Sequence, residues 1–233
     1  SIPPRASNPK GFFEDSEINS INEANQSSIN LNTLPPFARI RYKLDYSERI
    51  SLRDGQRWLE RLPLGIDISI NPELDARMMQ MTQHNPFCFK DPRFSYTLSA
   101  WRPHLVNTTY ICVFRDPGST AMSIIKECRD VECIAKSPIG RAMSHRIALE
   151  IWASIYEHIL RRQRCEGDWL FIHFNQVITA AGLDRIEEFT GAQVDRSFPD
   201  PALNRSFRAE AMPRKFAKLY AELCELAGYV DVR

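Results

Sequence analysis

Residues 109–123 carry the pattern that most constrains the fold of this chain. The run 110–114, Tyr-Ile-Cys-Val-Phe, is apolar and rich in β-branched and aromatic side chains, which predicts a strand covered on both faces of a parallel sheet. The Asp-Pro-Gly sequence that follows must turn the chain. Ser119 or Thr120 can then cap a helix that begins at Ala121. The segment therefore predicts a strand, a tight turn and a helix.

This predicted geometry favours an anion. The first backbone N–H groups of a helix and the positive end of its dipole attract phosphate. Arg115, at the end of the strand, offers a planar and always charged fork for two phosphate oxygens, and Ser123, about one turn inside the predicted helix, offers a hydroxyl. The alternative is an ordinary helix N-terminus with a surface arginine, and these residues alone favour the two interpretations equally.

The rest of the chain alternates strands with helices, which predicts an α/β fold with a mostly parallel sheet flanked by helices on both faces. Ligands of such sheets bind at the carboxyl ends of the strands, where the pattern places residues 90–93, Arg115 and residues 175–176. His173 is expected to be a core histidine. The predicted strands are residues 87–90, 110–114 and 168–174, and the predicted helices are residues 15–30, 52–62, 72–81, 140–164, 183–189 and 213–226.

Four segments together resemble a known family. Val-Phe-Arg-Asp-Pro at 113–117, five further residues and Ser123 resemble the 3′-phosphate-binding motif of sulfotransferases, which use 3′-phosphoadenosine 5′-phosphosulfate (PAPS). Asn-Pro-Lys-Gly-Phe-Phe-Glu-Asp at 8–15, Phe-Lys-Asp-Pro-Arg at 89–93 and Phe-Pro-Asp-Pro-Ala-Leu-Asn-Arg at 198–205 are similar to other family segments, in matching order. The resemblance implies a P-loop NTPase-like sulfotransferase fold and a single domain over residues 1–233.

The resemblance also implies an activity. A sulfotransferase moves a sulfuryl group from PAPS to a hydroxyl, or less often an amine, of an acceptor and leaves adenosine 3′,5′-bisphosphate. The acceptor is expected to be a small molecule, a carbohydrate or a lipid. The reaction needs in-line alignment, cations on the oxygens that gain charge and a base for the acceptor proton. Side chains can supply that charge, so no metal ion is expected.

Candidate binding residues follow from the resembling segments. Arg115 and Ser123 are expected to bind the 3′-phosphate. Arg205, in the late loop, resembles a second basic contact, with Arg208 or Arg214 as alternatives. Lys90 and Arg93 are candidates for the phosphosulfate or the substrate, with Lys90 also as a catalytic residue, although a Lys-Asp-Pro-Arg turn held by local ion pairs is an equally good explanation.

The base must be a carboxylate or a histidine. Glu14 is the first candidate, because it lies in the Gly-Phe-Phe-Glu-Asp segment that enters the active site of resembling enzymes, and Asp15 is the second. Asp15 or Ser16 could instead cap the helix that begins near Glu17. His84 and His104, both in predicted loops, are further candidates.

One expected motif is missing. Sulfotransferases open with a strand and a Gly-rich loop that cradles the 5′-phosphosulfate, and this sequence contains no such loop. We expect that loop upstream of Ser1 in the natural protein; a chain without its strand should expose two inner strand edges and leave a gap in the core. Two alternatives stay open: a P-loop kinase of nucleosides or small molecules, and a non-catalytic protein that binds the bisphosphate.

Composition adds weaker constraints. The chain has 233 residues, 43% hydrophobic content and a net charge of +1, enough for one core and too little charge for general attraction to nucleic acid. Cys88 and Cys112 fall in predicted buried strands, and Cys128 and Cys133 have no partners at zinc-site spacing. Without a signal-peptide pattern or a long apolar run, the sequence predicts a reduced, cytoplasmic protein with no membrane span.

Overall fold

A computed structural model describes residues 13–29, 34–37, 40, 50–66, 68–200 and 212–230. Over these ranges the protein is a mixed α/β structure, mostly helical, with one small two-stranded parallel sheet. In chain order its elements are α1 (Ser16–Ser27), α2 (Pro72–Thr82), α3 (Phe94–Trp101), β1 (Thr109–Phe114), α4 (Pro117–Asp130), α5 (Glu132–Ala135), α6 (Pro138–Ala142), α7 (His145–Arg161), β2 (Asp168–His173), α8 (Phe174–Val177), α9 (Ala180–Thr190) and α10 (Arg214–Ala227).

The chain divides into two compact units. Unit 1 comprises Ser1–Val106 and Ile124–Cys165, and unit 2 comprises Asn107–Ser123 and Glu166–Arg233. Unit 2 holds both strands, the first half of α4 and helices α8 to α10. The expectation of a single domain stays a prediction.

The sheet of unit 2 pairs β1 with β2 in parallel, from Thr109 opposite Asp168 to Phe114 opposite His173. Both strands were predicted, and both are confirmed. The strands pair directly, so the expected core gap does not lie between them. One expectation for β1 is wrong: Phe114 is buried, but Val113 is 47% exposed, so the strand is covered on one face only.

The predicted strand at residues 87–90 is absent from the structure. This segment joins no sheet, and Cys88 is exposed rather than buried. The side chains hold it instead: the rings of Phe87 and Phe89 stack with centroids 4.6 Å apart, and Phe89 packs against Trp101 at 5.9 Å. Packing of aromatic rings therefore takes the place of the strand pairing that the sequence pattern predicted.

The core of unit 1 forms where α1 packs against α2 and α3. Ile18, Ile21, Met78 and Trp101 are fully buried there. Local signals predicted α1 and α2 well: the Asp15 carboxylate caps α1, and α2 begins with Pro72 at its first position, where proline lacks only an N–H that has no helical partner.

A buried amide joins these helices. Asn22 Oδ1 accepts hydrogen bonds from Thr97 Oγ1 and Trp101 Nε1, both at 2.8 Å, and Asn22 Nδ2 donates to Asp91 Oδ2 at 3.0 Å. Asn22 is 0% exposed, so these bonds satisfy a side chain that has no access to water.

The prediction of an amphipathic helix at residues 52–62 is wrong. The segment is irregular except for a 3₁₀ turn at Arg57–Leu59. Glu23 Oε1 accepts the backbone N–H groups of Gly55 at 2.8 Å and Arg57 at 3.4 Å, and Gly55 has a φ of +81°. A carboxylate from α1 therefore binds the donors that a helix would have used.

The helix predicted at residues 140–164 is two helices, α6 and α7. The Ser144 hydroxyl caps α7 by accepting the N–H of Ile147 at 3.3 Å, which separates the two. The predicted apolar stripe is confirmed at Ile147, Ile151 and Trp152, all buried. Helices α9 and α10 are confirmed, and Gly228, with a φ of 58°, ends α10 in the left-handed conformation.

Candidate functional site

The segment that resembles the phosphate-binding motif forms a strand, a turn and a helix. Helix α4 begins at Pro117, four residues earlier than predicted. Its cap is Asp116, whose Oδ1 accepts the N–H of Ser119 at 2.7 Å, while its carbonyl accepts the N–H of Thr120 at 2.9 Å. The predicted cap at Ser119 or Thr120 is therefore wrong, because an Asp-Pro pair supplies a strong cap acceptor followed by a residue suited to the first helical position.

This cap changes how an anion could bind. The buried Asp116 carboxylate already interacts with the positive end of α4, so the helix terminus alone is a poor phosphate site. Ser123 is exposed on α4, six residues beyond Pro117, which is about 9 Å along the helix axis. A phosphate would have to lie beside the first two turns of α4 and bind side chains.

Arg115 is the cation that the sequence proposed for binding such a phosphate. It directly follows β1, and its guanidinium carbon lies 5.1 Å from the centroid of the Phe174 ring. Partial burial lowers the pKa of Arg115, while the adjacent Asp116 acts in the opposite direction. A cation partly removed from water gains more from an anion than a fully hydrated cation does.

The end of β2 is held by a buried aromatic and polar cluster. His173 is 1% exposed; its Nδ1 accepts the N–H of Asn175 at 3.1 Å, and its Nε2 lies 3.2 Å from the Tyr220 hydroxyl. The Tyr229 ring stacks on the imidazole at 3.9 Å, and the Tyr229 hydroxyl accepts from Asn175 Nδ2 at 2.9 Å. The prediction of a core histidine is confirmed.

In unit 1 the structure brings together the two predicted catalytic residues. Lys90 Nζ lies 2.5 Å from Glu14 Oε1, and Asn19 Nδ2 donates to Glu14 Oε2 at 3.0 Å. Glu14 is 7% exposed, whereas the Lys90 side chain is 54% exposed. Asp15, the second candidate base, caps α1 through the N–H groups of Glu17 and Ile18.

Arg93 lies in a buried ion-pair network. It is 5% exposed, its Nε donates to Glu23 Oε2 at 2.9 Å, and its Nη1 donates to Asp91 Oδ1 at 3.1 Å. Burial raises the pKa of Asp91, and the charge of Arg93 opposes that rise. These contacts are the local ion pairs that the sequence offered as the alternative; a role of Arg93 in cofactor binding stays a prediction.

The other candidate residues lie apart from the contacts described above or outside the described ranges. His104 Nε2 lies 2.8 Å from Asp75 Oδ1, His84 is exposed, and Arg214 begins α10. Arg205 and Arg208 lie outside the described residues. Sequence reasoning missed Glu23 and Phe174. Nothing local marks Glu23, which lies 70 residues from Arg93, but the alignment of strand ends could have indicated Phe174.

Cysteines and metal-ligating side chains add no further site to the part of the chain that the structure describes. None of the six cysteines, all of which lie in the described ranges, forms a disulfide bond. Among the described residues no group of three or more metal-ligating side chains occurs, and no helix in the same ranges is long and apolar enough to span a membrane. No family model, no curated protein and no solved structure matches the chain.

Proposed function

We propose that this protein binds adenosine 3′,5′-bisphosphate and its sulfated form, PAPS, and acts as a sulfotransferase. The observation that carries the proposal is the position of Arg115, at the carboxyl end of a parallel strand and directly before the helix that bears Ser123. This strand, turn and helix support the resemblance of residues 113–123 to the family's 3′-phosphate motif. A sulfotransferase-type, P-loop-like fold is part of the same proposal.

The 3′-phosphate is the group that this segment suits best. It carries a double negative charge, and Arg115 supplies a guanidinium that can bind two of its oxygens. Because Asp116 lies beside Arg115 and keeps a carboxylate at the start of α4, anion binding depends on the guanidinium and on the Ser123 hydroxyl. Adenosine 5′-monophosphate lacks the group that these side chains recognise, so it should bind much more weakly.

Glu14 and Lys90 are the residues that we propose for the chemical step. An acceptor oxygen forms a bond to sulfur while the bond between sulfur and the 5′-phosphate oxygen of PAPS breaks. The acceptor proton passes to Glu14, and Lys90 stabilises the charge that develops on the leaving phosphate. In the structure Glu14 and Lys90 contact each other. The acceptor would be a hydroxyl-bearing small molecule, carbohydrate or lipid.

Calorimetric titration tests the nucleotide part of this proposal. Adenosine 3′,5′-bisphosphate should bind more tightly than ADP or adenosine 5′-monophosphate. Arg115→Ala should weaken bisphosphate binding about 10- to 100-fold, because a charge-assisted phosphate contact contributes roughly 1.5–3 kcal/mol. Arg129→Ala, which removes an exposed arginine from the last turn of α4, is the matched control and should change little. Equal binding of all three nucleotides would refute the proposal.

A non-catalytic bisphosphate-binding protein is the second candidate. The observation that favours it is that both Glu14 oxygens already accept hydrogen bonds, from Lys90 and Asn19. Incubation with PAPS and a panel of phenols, sugars and lipids distinguishes the two: sulfated product that disappears in Glu14→Gln supports the enzyme, and selective bisphosphate binding without product supports the binding protein.

A further inference from the structure

We propose that Phe174 is a positioning residue that holds the Arg115 guanidinium ready for the 3′-phosphate. This inference rests on the proposed function, because it assigns a role within the same nucleotide site. It starts from the sheet. Phe114 and His173 are register partners at the ends of parallel strands, so the next residue of each chain segment, Arg115 and Phe174, leaves the sheet at the same edge. The guanidinium carbon lies 5.1 Å from the ring centroid.

The geometry of this contact suits a binding residue. A guanidinium that packs on an aromatic ring uses its flat face, whereas its N–H donors point outward in its own plane. The Phe174 ring can therefore fix the direction of the arginine without competing with a phosphate for those donors. Because long arginine side chains lose much rotamer freedom when they bind, fixing the side chain beforehand lowers the cost of binding.

Three hydrogen bonds hold the backbone and the side chains next to Phe174. The N–H of His173 donates to Gln176 Oε1 at 2.8 Å, and the His173 ring accepts the N–H of Asn175 at 3.1 Å, which forms a capping box around Phe174. Gln176 Nε2 also donates to the carbonyl of Ala227 at 3.1 Å. These bonds immobilise the backbone that carries the half-buried ring.

The test measures nucleotide discrimination in a mutant cycle. The affinities of adenosine 3′,5′-bisphosphate and adenosine 5′-monophosphate are determined by calorimetry for Phe174→Leu, Phe174→Tyr and Phe174→Trp. We expect Phe174→Leu to weaken bisphosphate binding about 3- to 30-fold, which is the range of a cation–π contact, and to leave monophosphate binding unchanged. The two aromatic variants should bind the bisphosphate within about twofold of the wild type.

The Arg115→Ala background makes the test specific. If Phe174 acts through Arg115, Phe174→Leu should change bisphosphate affinity by less than about twofold once the arginine is gone. Phe171→Leu is the matched control: Phe171 is buried on β2, the strand that leads into Phe174, and stacks on Trp169, so its loss tests general packing and should not alter discrimination.

The outcomes separate the two proposals. An equal loss of affinity for both nucleotides in Phe174→Leu, or an undiminished loss in the Arg115→Ala background, would overturn the positioning role, because Phe174 would then contact the nucleoside or merely stabilise the unit. If Arg115→Ala itself leaves bisphosphate binding unchanged, the proposed function fails first. NMR adds a readout without ligand: the Arg115 Hε resonance should carry an upfield ring-current shift that Phe174→Leu abolishes and Phe174→Tyr retains.

Discussion

The buried histidine of α7 should make the stability of this protein depend on pH. His158 is 3% exposed; its Nε2 lies 3.0 Å from the carbonyl oxygen of Leu62, and its ring meets the edge of Tyr96 at 4.7 Å. The pKa of His158 is lowered from 6.5 to about 4: burial is the main cause, the hydrogen bond to Leu62 opposes the shift, and the charge of Arg162 contributes to it. His158 is therefore neutral in the folded protein at neutral pH.

The sign of the effect follows from proton binding. As pH falls below 6.5 the unfolded chain protonates this histidine, whereas the folded protein does so only near about 4. The free energy of unfolding is therefore highest above the unfolded pKa and falls as pH drops towards the folded pKa. Each pKa unit is worth about 1.4 kcal/mol, so the loss due to His158 is about 2 kcal/mol between about pH 7 and pH 5 and about 3 kcal/mol in full.

Urea unfolding followed by tryptophan fluorescence measures this loss. The wild type should lose about 2 kcal/mol more than His158→Gln when pH is lowered from about 7 to 5. Glutamine removes the titration but keeps an N–H donor for Leu62. His145→Gln is the matched control, because His145 is exposed on the same helix, and it should follow the wild-type pH dependence.

Equal pH dependence in the wild type and in His158→Gln would refute the reasoning. Because glutamine could prevent folding by itself, the pKa of His158 is also measured directly in the wild type by NMR titration. A folded-state pKa of His158 at or above 6.5, the ordinary histidine value, would also refute the reasoning.

Two further predictions concern packing. Glu150→Gln should destabilise the protein by about 3–5 kcal/mol, because it removes the negative charge that Glu150 places beside the buried guanidinium of Arg61. In urea unfolding, the exposed Glu132→Gln should cost less than about 1 kcal/mol, and similar losses in both variants would contradict this explanation. Gly182→Ala should destabilise α9 by about 1–3 kcal/mol, since an added Cβ would lie 1.9 Å from the carbonyl oxygen of Gln176; a higher melting temperature in this variant would show instead that helix propensity dominates.

The sequence predicted the elements whose signals are local. Pro72 at the start of α2 and Gly228 at the end of α10 act within a few residues of their own positions, so pattern reasoning found both helices. The prediction failed at residues 52–62 because the carboxylate that accepts the backbone hydrogen bonds of this segment belongs to Glu23, about 30 positions away. It failed at residues 87–90 because a strand needs a partner strand, which the alternation of side chains along one segment does not provide.

The candidate site likewise combines features that local signals predict with contacts that they do not predict. Arg115 was expected at the end of a strand and lies there, and the Asp-Pro pair is a local signal that could have indicated the true cap of α4. The contact between Glu14 and Lys90 spans 76 residues and the contact between Arg93 and Glu23 spans 70. Ion pairs of such separation depend on how helices pack, which composition and periodicity do not determine.

The buried amide of Asn22 has a consequence for how this protein can vary. Its three hydrogen bonds tie α1 to Asp91, Thr97 and Trp101. Replacing Asn22 alone removes these bonds from two donors and a carboxylate in the core, at a cost of about 1–3 kcal/mol for each. An apolar residue becomes acceptable at this position only when its polar neighbours change with it. Homologous sequences should therefore keep all four side chains or replace them as a group, and single replacements should be rare.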